Sequence, residues 1–193
     1  MSLSNLRLKM LNRRASAPGS KLGEVIKSLN VQESDTVADI GSGGGYFTLE
    51  FAKRVGKSGK VYAVDTKQEN LDYVKAQSER EGINNVVTVL ADDEIGLPEK
   101  SVDLVFMRNV VHHLPEPARY FADLKRFLKS DSRVAIIDYK KGGGFSFTQL
   151  FGHYIEEAVL LDEMERAGYD LMARFDFLPE QSFNIFKPRV RSG

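Results

Sequence analysis

The sequence contains no cysteine, and this absence excludes several kinds of chemistry at once. A chain without thiols forms no disulfide bonds, has no cysteine nucleophile and offers no thiolate to a metal ion. It also lacks any apolar run of the roughly 18–20 residues that span a bilayer, and its N-terminus has no continuous apolar signal core. We therefore expect a cytoplasmic protein without a membrane span.

Neither sign of charge is in excess. Lys plus Arg and Asp plus Glu number 27 each, so the chain lacks the overall basic field that attracts nucleic acid. The first 23 residues are an exception, because they hold Arg7, Lys9, Arg13, Arg14 and Lys21 but no acid. No nucleic-acid partner is predicted, and the sequence carries no signal for an oligomeric state.

Alternating strand-like and helix-like patterns fill most of the 193 residues. Five short, β-branched runs are predicted strands: 36–40, 60–65, 86–90, 102–107 and 133–139. Helical patterns separate them, including a buried stripe over 117–128, and a long helix is expected over about 148–167. Residues 169–178 and 182–187 are joined by a connection too short for a crossover, which predicts an antiparallel pair. The pattern predicts an α/β, Rossmann-like, doubly wound fold with a mostly parallel seven-stranded sheet, an antiparallel C-terminal strand pair and helices on both faces.

The stretch "VADIGSGGGYFTLEFAKR", residues 37–54, places four glycines within five residues between a strand and a helix. Glycine allows positive φ and a close approach to the backbone, so we expect free backbone N–H groups and a helix N-terminus to face a ligand there. Asp65 ends the second strand, twenty residues after Gly45. This spacing suits a carboxylate that accepts hydrogen bonds from ribose hydroxyls. An adenosine-containing ligand is indicated, and a nicotinamide cofactor also satisfies these features.

The spacing of the glycines argues against a dinucleotide. The G-x-G-x-x-G pattern has Tyr46 or Thr48 where its third glycine belongs, depending on the register. No Tyr-x-x-x-Lys pair and no G-x-x-x-x-G-K-[ST] loop occurs in the chain. The acidic stretch "ADDE", residues 91–94, follows the third strand, where a carboxylate can accept the exocyclic amine of adenine.

Five motifs in order resemble the class I S-adenosylmethionine-dependent methyltransferases, specifically the small branch similar to ubiquinone and menaquinone biosynthesis methyltransferases. These motifs are "VADIGSGGGYF", "VYAVD", "ADDEIGLP", "VDLVFMRNVVHHL" and "GHYIEEAVLLDEMERAGYD". The resemblance runs from about residue 22 to residue 188. It implies the cofactor S-adenosyl-L-methionine, which leaves as S-adenosyl-L-homocysteine.

The resemblance also implies a set of cofactor contacts. Asp39 would orient the glycine turn and the ligand's amino group. Asp65 would hold the ribose hydroxyls, and Asp92 would hold the adenine amine. Backbone at the end of the fourth strand would contact the methionine moiety. The full set of cofactor-binding residues is Asp39, Gly41, Gly43, Gly45, Asp65, Asp92, Asp93, Arg108 and Asn109.

The implied reaction is in-line displacement of the sulfonium methyl by an atom of a small-molecule acceptor. A general base is needed only where the attacking atom carries a proton, and His113 is the candidate catalytic residue. No metal site is expected, because no clustered carboxylates accompany His112, His113 and His153. Two alternatives stay open: a cofactor-binding regulatory or scaffolding subunit without turnover, and an NAD-binding oxidoreductase.

The segment 1–19 precedes the first recognisable element of the predicted domain, 20–188, and a tail follows at 189–193. Leu3, Leu6 and Met10 recur at helical spacing, so an apolar stripe would let the segment lie over the mouth of the acceptor site as a lid. The alternative is a loosely attached helix or tail beyond the hinge "SAPGS".

Overall fold

The strands formed by the short apolar runs divide between two units of the chain, residues 1–98 and residues 99–193. The computed structural model describes residues 3–92, 95–140 and 154–189. Across these ranges no helix has the length and apolar character needed to cross a membrane.

The first unit contains three parallel strands, β1 (Thr36–Ile40), β2 (Lys60–Asp65) and β3 (Val86–Leu90), in the order β3-β2-β1. Their bounds are those predicted. β1 and β2 are almost entirely buried, whereas β3 is an edge strand with Val87 and Leu90 exposed. β3 is therefore not buried on both faces, as a strand inside a parallel sheet would be.

Four helices of the first unit are α1 (Leu3–Ala15), α2 (Leu22–Leu29), α3 (Tyr46–Val55) and α4 (Gln68–Arg80). Because α3 and α4 connect consecutive parallel strands, they are the crossover helices that a parallel sheet requires. Leu71 and Val74 of α4 pack against Ala63 of β2 and Val86 of β3. The N-terminal end of each of the two helices follows the carboxyl end of a strand, where the glycine turn and Asp65 lie.

The second unit contains β4 (Val102–Arg108), β5 (Leu128–Tyr139), α5 (Pro117–Leu124), α6 (Glu157–Arg166), β6 (Tyr169–Phe175) and β7 (Gln181–Pro188). β4 and β5 are parallel, while β7 pairs antiparallel with both β5 and β6. The seven strands and their directions confirm the predicted fold class, including the antiparallel C-terminal pair.

Several boundaries in the second unit differ from the predictions, including that of β6, which ends at Phe175, three residues earlier than predicted. The α-helix over 117–128 ends at Leu124 and continues as a 3-10 turn to Phe127, after which β5 begins five residues earlier than predicted. The late helix begins at Glu157, and residues 154–156 are not helical. The rest of its predicted first turns, residues 148–153, lies outside the described residues. So do residues 141–144, which belong to the sequence "KKGGG" that follows β5.

Candidate functional site

The glycine turn joins β1 to α3 in the first unit, and three of its residues have a left-handed backbone. Gly41, Gly43 and Gly45 have φ values of 74°, 52° and 75°. A side chain at these positions would be strained, which is the physical reason for glycine there. Gly45 is also the N-cap residue of α3. The turn therefore directs the chain sharply from the buried strand into the helix.

Four N–H groups of the turn already have partners within the protein, and three of them donate to residues of β2. Gly41 and Ser42 donate to the carbonyl of Val64, and Gly45 donates to that of Ser42. Gly43 donates to Asp65 Oδ2 at 2.9 Å. The expectation of free N–H groups aimed at a ligand is wrong for these four positions. A pyrophosphate cradle needs such donors, so this turn suits a cofactor without phosphates better than a dinucleotide.

Gly44 is a glycine for a different reason, because its φ is not left-handed. A Cβ at this position would collide with the side-chain amide of Asn12 and would lie 2.8 Å from the carbonyl oxygen of Leu8. Asn12 Nδ2 donates to the Gly44 carbonyl at 2.7 Å. Helix α1 thus rests directly on the turn, at a distance that only a residue without a side chain allows.

Asp65 lies at the end of β2 and accepts hydrogen bonds on both carboxylate oxygens. Oδ1 accepts from Lys67 N at 3.0 Å and from Asn70 Nδ2 at 2.9 Å, and Oδ2 accepts from Gly43 N. A carboxylate has about four acceptor positions, so these three donors leave it with capacity for a ligand hydroxyl. The residue predicted to bind ribose is held rigidly and keeps the chemistry for that role.

Asp39, near the end of β1, is buried and accepts a hydrogen bond of 2.5 Å from Thr48 Oγ1 of α3. Burial raises the pKa of Asp39 to about 7, and the charge of Asp65 adds to this rise, while the Thr48 hydroxyl opposes it. A cation bound nearby would favour the ionised carboxylate. Asp39 can therefore respond to the charge of a ligand in the neutral pH range.

The N-terminal segment forms α1, but the predicted apolar stripe does not face the protein. Leu6 and Met10 are exposed, whereas Leu8 is fully buried. The inward contacts include those of Leu8, of Asn12 and of Arg7, whose Nη2 donates to Asn70 Oδ1 at 3.0 Å. The segment is attached to the glycine turn and α4, and its role as a lid stays a prediction.

The predicted adenine contacts follow β3. Asp92 is exposed directly after the strand, in the turn that begins at Ala91, whose N–H donates to the carbonyl of Asp65. Its neighbour Asp93 lies outside the described residues. The backbone hydrogen bond places the start of the turn beside Asp65. The contact of these acids with adenine stays a prediction.

Arg108 ends β4 in the second unit and Asn109 follows it, and both contact Gln181 at the start of β7. Arg108 Nη2 donates to Gln181 Oε1 at 3.2 Å, and Gln181 Nε2 donates to Asn109 Oδ1 at 2.6 Å. Burial lowers the pKa of Arg108, with a smaller opposing effect of Tyr139. Asn109 has a φ of 57°, so β4 ends in a sharp left-handed turn. Their contact with a methionine moiety stays a prediction.

The 3-10 turn Val111–His113 carries both histidines, and the structure distinguishes them. The ring of His112 is 4% exposed, and its Nδ1 lies 2.6 Å from Oδ1 of Asp138, which is fully buried at the end of β5. His113, the predicted catalytic residue, is exposed, with its ring centroid 4.0 Å from that of His112. Asp138 is not among the residues predicted from the sequence, although an acid ending the apolar run "VAIID" is the same signal that identified Asp65.

No group of three or more His, Asp or Glu side chains arranged to hold a metal ion occurs in the part of the chain that the structure describes. His153, the third histidine of the sequence, lies outside that part.

Comparison with known proteins decides the family. Residues 38–136, just over half of the chain, match the methyltransferase domain family. The chain belongs to the class I S-adenosylmethionine-dependent methyltransferases. A solved structure described as a SAM dependent methyltransferase from Aquifex aeolicus has a TM-score of 0.82 and 28% identity, covering 93% of this chain and 96% of that one. The predicted family, Rossmann-like fold and cofactor are thereby confirmed.

Curated relatives of this chain differ in their acceptors. A protein-L-isoaspartate O-methyltransferase of Methanococcoides burtonii is 37% identical over 47% of this chain and 45% of its own length. A 2-phytyl-1,4-naphtoquinone methyltransferase of Trichormus variabilis is 25% identical over 70% of this chain and 60% of its own. The chain spans about half the length of the first curated relatives that it matches. The family therefore does not define the acceptor.

Proposed function

We propose that this chain catalyses transfer of the sulfonium methyl group of S-adenosylmethionine to a small-molecule acceptor, and that His112, oriented by Asp138, takes up the proton of the attacking atom. The observation that carries the proton-transfer step is the 2.6 Å contact between His112 Nδ1 and Asp138 Oδ1. Bound S-adenosylmethionine supplies an already activated methyl group. The chain's own contribution is positioning, exclusion of water and proton transfer.

The His112–Asp138 pair suits a general base. A buried carboxylate beside Nδ1 selects the tautomer with the proton on Nδ1, which makes Nε2 the basic nitrogen. Asp138 is itself held, because its Oδ1 also accepts from Tyr139 N at 2.8 Å and its Oδ2 accepts from His112 N at 3.3 Å. A base whose orientation is fixed by a third group is the arrangement that proton transfer favours. His113 has a ring of the same chemistry but an exposed position, so it is the second candidate.

The cofactor roles follow from the first unit. Asp65 would accept hydrogen bonds from the ribose hydroxyls, and Asp92 and Asp93 would accept them from the adenine amine. Asp39 would favour the positive charge of the ligand. The glycine turn, with three left-handed residues, would allow the ribose and methionine parts to approach the backbone. Its internally bonded N–H groups support a ligand that carries no phosphate.

A small-molecule acceptor is supported by the naphtoquinone methyltransferase among the relatives, and a protein acceptor by the isoaspartate O-methyltransferase. The experiment that separates them measures S-adenosylhomocysteine release with three substrate pools: quinone and phenol precursors, a metabolite extract of small molecules only, and peptides that contain isoaspartate. Release with either of the first two pools supports the proposal. Release only with the peptides contradicts it.

The alternative of a cofactor-binding subunit without turnover is tested by the same assay. In another outcome of the assay, the chain binds S-adenosylhomocysteine by itself and yet releases it only after a partner protein is added. That result would support a regulatory or scaffolding role and contradict the proposed activity. Binding of NAD in preference to S-adenosylhomocysteine would support the oxidoreductase instead. Calorimetry with both ligands decides this point independently of the acceptor.

A further inference from the structure

Helix α1 packs directly against the glycine turn of the first unit. It lies outside the residues that match the methyltransferase domain family, which begin at residue 38. Yet the turn carries a glycine at position 44 whose backbone does not require one, and the space of its missing side chain is filled by Asn12 and Leu8 of α1. The sequence of the turn is therefore matched to the presence of this helix.

A second connection runs from α1 to the carboxylate proposed to bind ribose. Arg7 Nη2 donates to Asn70 Oδ1, and Asn70 Nδ2 donates to Asp65 Oδ1. Arg7 offers only donors and Asp65 only acceptors, so together they fix which way the Asn70 amide points. Without Arg7, the amide oxygen loses its donor and the Asn70 side chain is held from the Asp65 side only. Arg7 thus helps to position one of the three donors that hold Asp65 in place.

We propose that α1 is a structural part of the cofactor site, with Asn12, Arg7 and Asn70 as positioning residues that hold the glycine turn and Asp65 in the arrangement that receives S-adenosylmethionine. This inference rests on the ribose-binding role proposed for Asp65. It assigns the N-terminal helix to cofactor binding, whereas the sequence pattern indicated the acceptor mouth. Two independent contacts, one on the turn and one on the carboxylate, carry it.

The test compares variants at these contacts with matched controls, using calorimetric affinity for S-adenosylhomocysteine. Gly44→Ala introduces a methyl group between the turn and α1, and its control is Gly23→Ala, where a Cβ meets nothing within 4 Å. Arg7→Ala removes the donor to Asn70, and its control is Arg13→Ala, which removes the same charge from an exposed position of α1. We expect about three- to tenfold weaker binding for Gly44→Ala and Arg7→Ala, in line with the loss of one hydrogen bond. Both controls should stay within about twofold of the parent protein, a change below the loss of one hydrogen bond.

Two further readouts separate positioning from simple support of the fold. Arg7→Lys keeps a cationic donor and should recover part of the lost affinity. Amide exchange in residues 3–15 should slow when S-adenosylhomocysteine binds the parent protein, and this protection should be lost in Asn70→Ala. Unchanged affinity in Gly44→Ala and Arg7→Ala, together with weaker binding in Asp65→Ala, would overturn the role of α1 alone. Unchanged affinity in Asp65→Ala would overturn the ribose assignment on which the inference rests.

Discussion

Thr48 Oγ1 donates a hydrogen bond of 2.5 Å to Asp39 Oδ2, and both side chains are buried where β1 meets α3. The hydroxyl is the side-chain donor that favours the ionised carboxylate, and it only partly offsets the effect of burial on the pKa, which is raised to about 7. The first unit therefore contains an acid whose charge changes in the neutral pH range.

The first prediction concerns stability. The folded protein keeps the Asp39 proton up to about pH 7, whereas the unfolded chain loses it near pH 3.9. The folded state binds more protons between these values, so this group's contribution to stability is present below the lower pKa and is lost as pH rises through the higher one. The free energy of unfolding should fall with pH over this window by up to about 1.4 kcal/mol per pH unit from this group. Denaturant titrations of Asp39→Asn should show a smaller fall with pH than those of the parent protein. The exposed control Asp72→Asn should show the same fall as the parent protein.

The second prediction concerns binding. A ligand that carries a sulfonium and an ammonium favours ionised Asp39, so S-adenosylmethionine should release protons on binding and should bind more tightly as pH rises from about 6 to 8. S-adenosylhomocysteine lacks the sulfonium charge and should show a weaker dependence. Calorimetry in two buffers of different ionisation enthalpy measures the released protons directly. A dependence that persists in Asp39→Asn would assign it to another group.

The third prediction concerns Gly45. A Cβ at this position would lie 2.6 Å from Val74 Cγ2, and the backbone φ is 75°. Gly45→Ala should therefore lower stability through both left-handed strain of about 1–2 kcal/mol and overpacking of about 1–3 kcal/mol. Adding Val74→Ala removes the clash but not the strain. Thermal unfolding of the double variant should show that the two losses are less than additive, and strict additivity would contradict the clash.

The fourth prediction concerns Asp65. Asp65→Ala removes the acceptor of the ribose hydroxyls, and hydrogen bonds to a charged group are worth about 1.5–3 kcal/mol each, so affinity for S-adenosylhomocysteine should fall at least about tenfold. The variant should also unfold at a lower temperature, because Gly43, Lys67 and Asn70 lose their acceptor. Affinity is therefore measured well below the variant's melting temperature, with Asp72→Ala as the control.

The fifth prediction separates the two histidines. On an acceptor whose attacking atom carries a proton, His112→Ala should lower the rate of methyl transfer by about 10²–10⁴-fold, the usual contribution of a general base. His113→Ala should stay within a few-fold. Asp138→Asn should lower the rate at least about tenfold, because the amide no longer selects one tautomer. A large loss in His113→Ala with little change in His112→Ala would return the catalytic role to His113.

The sequence alone determined the fold class, the strands of the first unit and the position of the glycine turn. The bounds of β1, β2 and β3 are those predicted, and Gly41, Gly43 and Gly45 have the left-handed backbone that their glycines indicated. These features are local, because the alternation of apolar residues and the freedom of glycine act within a few residues of the chain. For the same reason the position of Asp65 at the end of the second strand, beside the turn, follows from spacing along the chain.

Only the tertiary structure decided which side chains meet. His112 and Asp138 are 26 residues apart, Asn12 and Gly44 are 32 apart, and Arg7 and Asn70 are 63 apart. The apolar spacing of α1 predicted a helix but the wrong buried face, because Leu8 and the polar contacts to the turn and α4 lie on the inward side instead. The raised pKa of Asp39 is likewise a property of its surroundings. A local pattern specifies a strand, a helix or a turn, whereas burial and pairing depend on how those elements pack together.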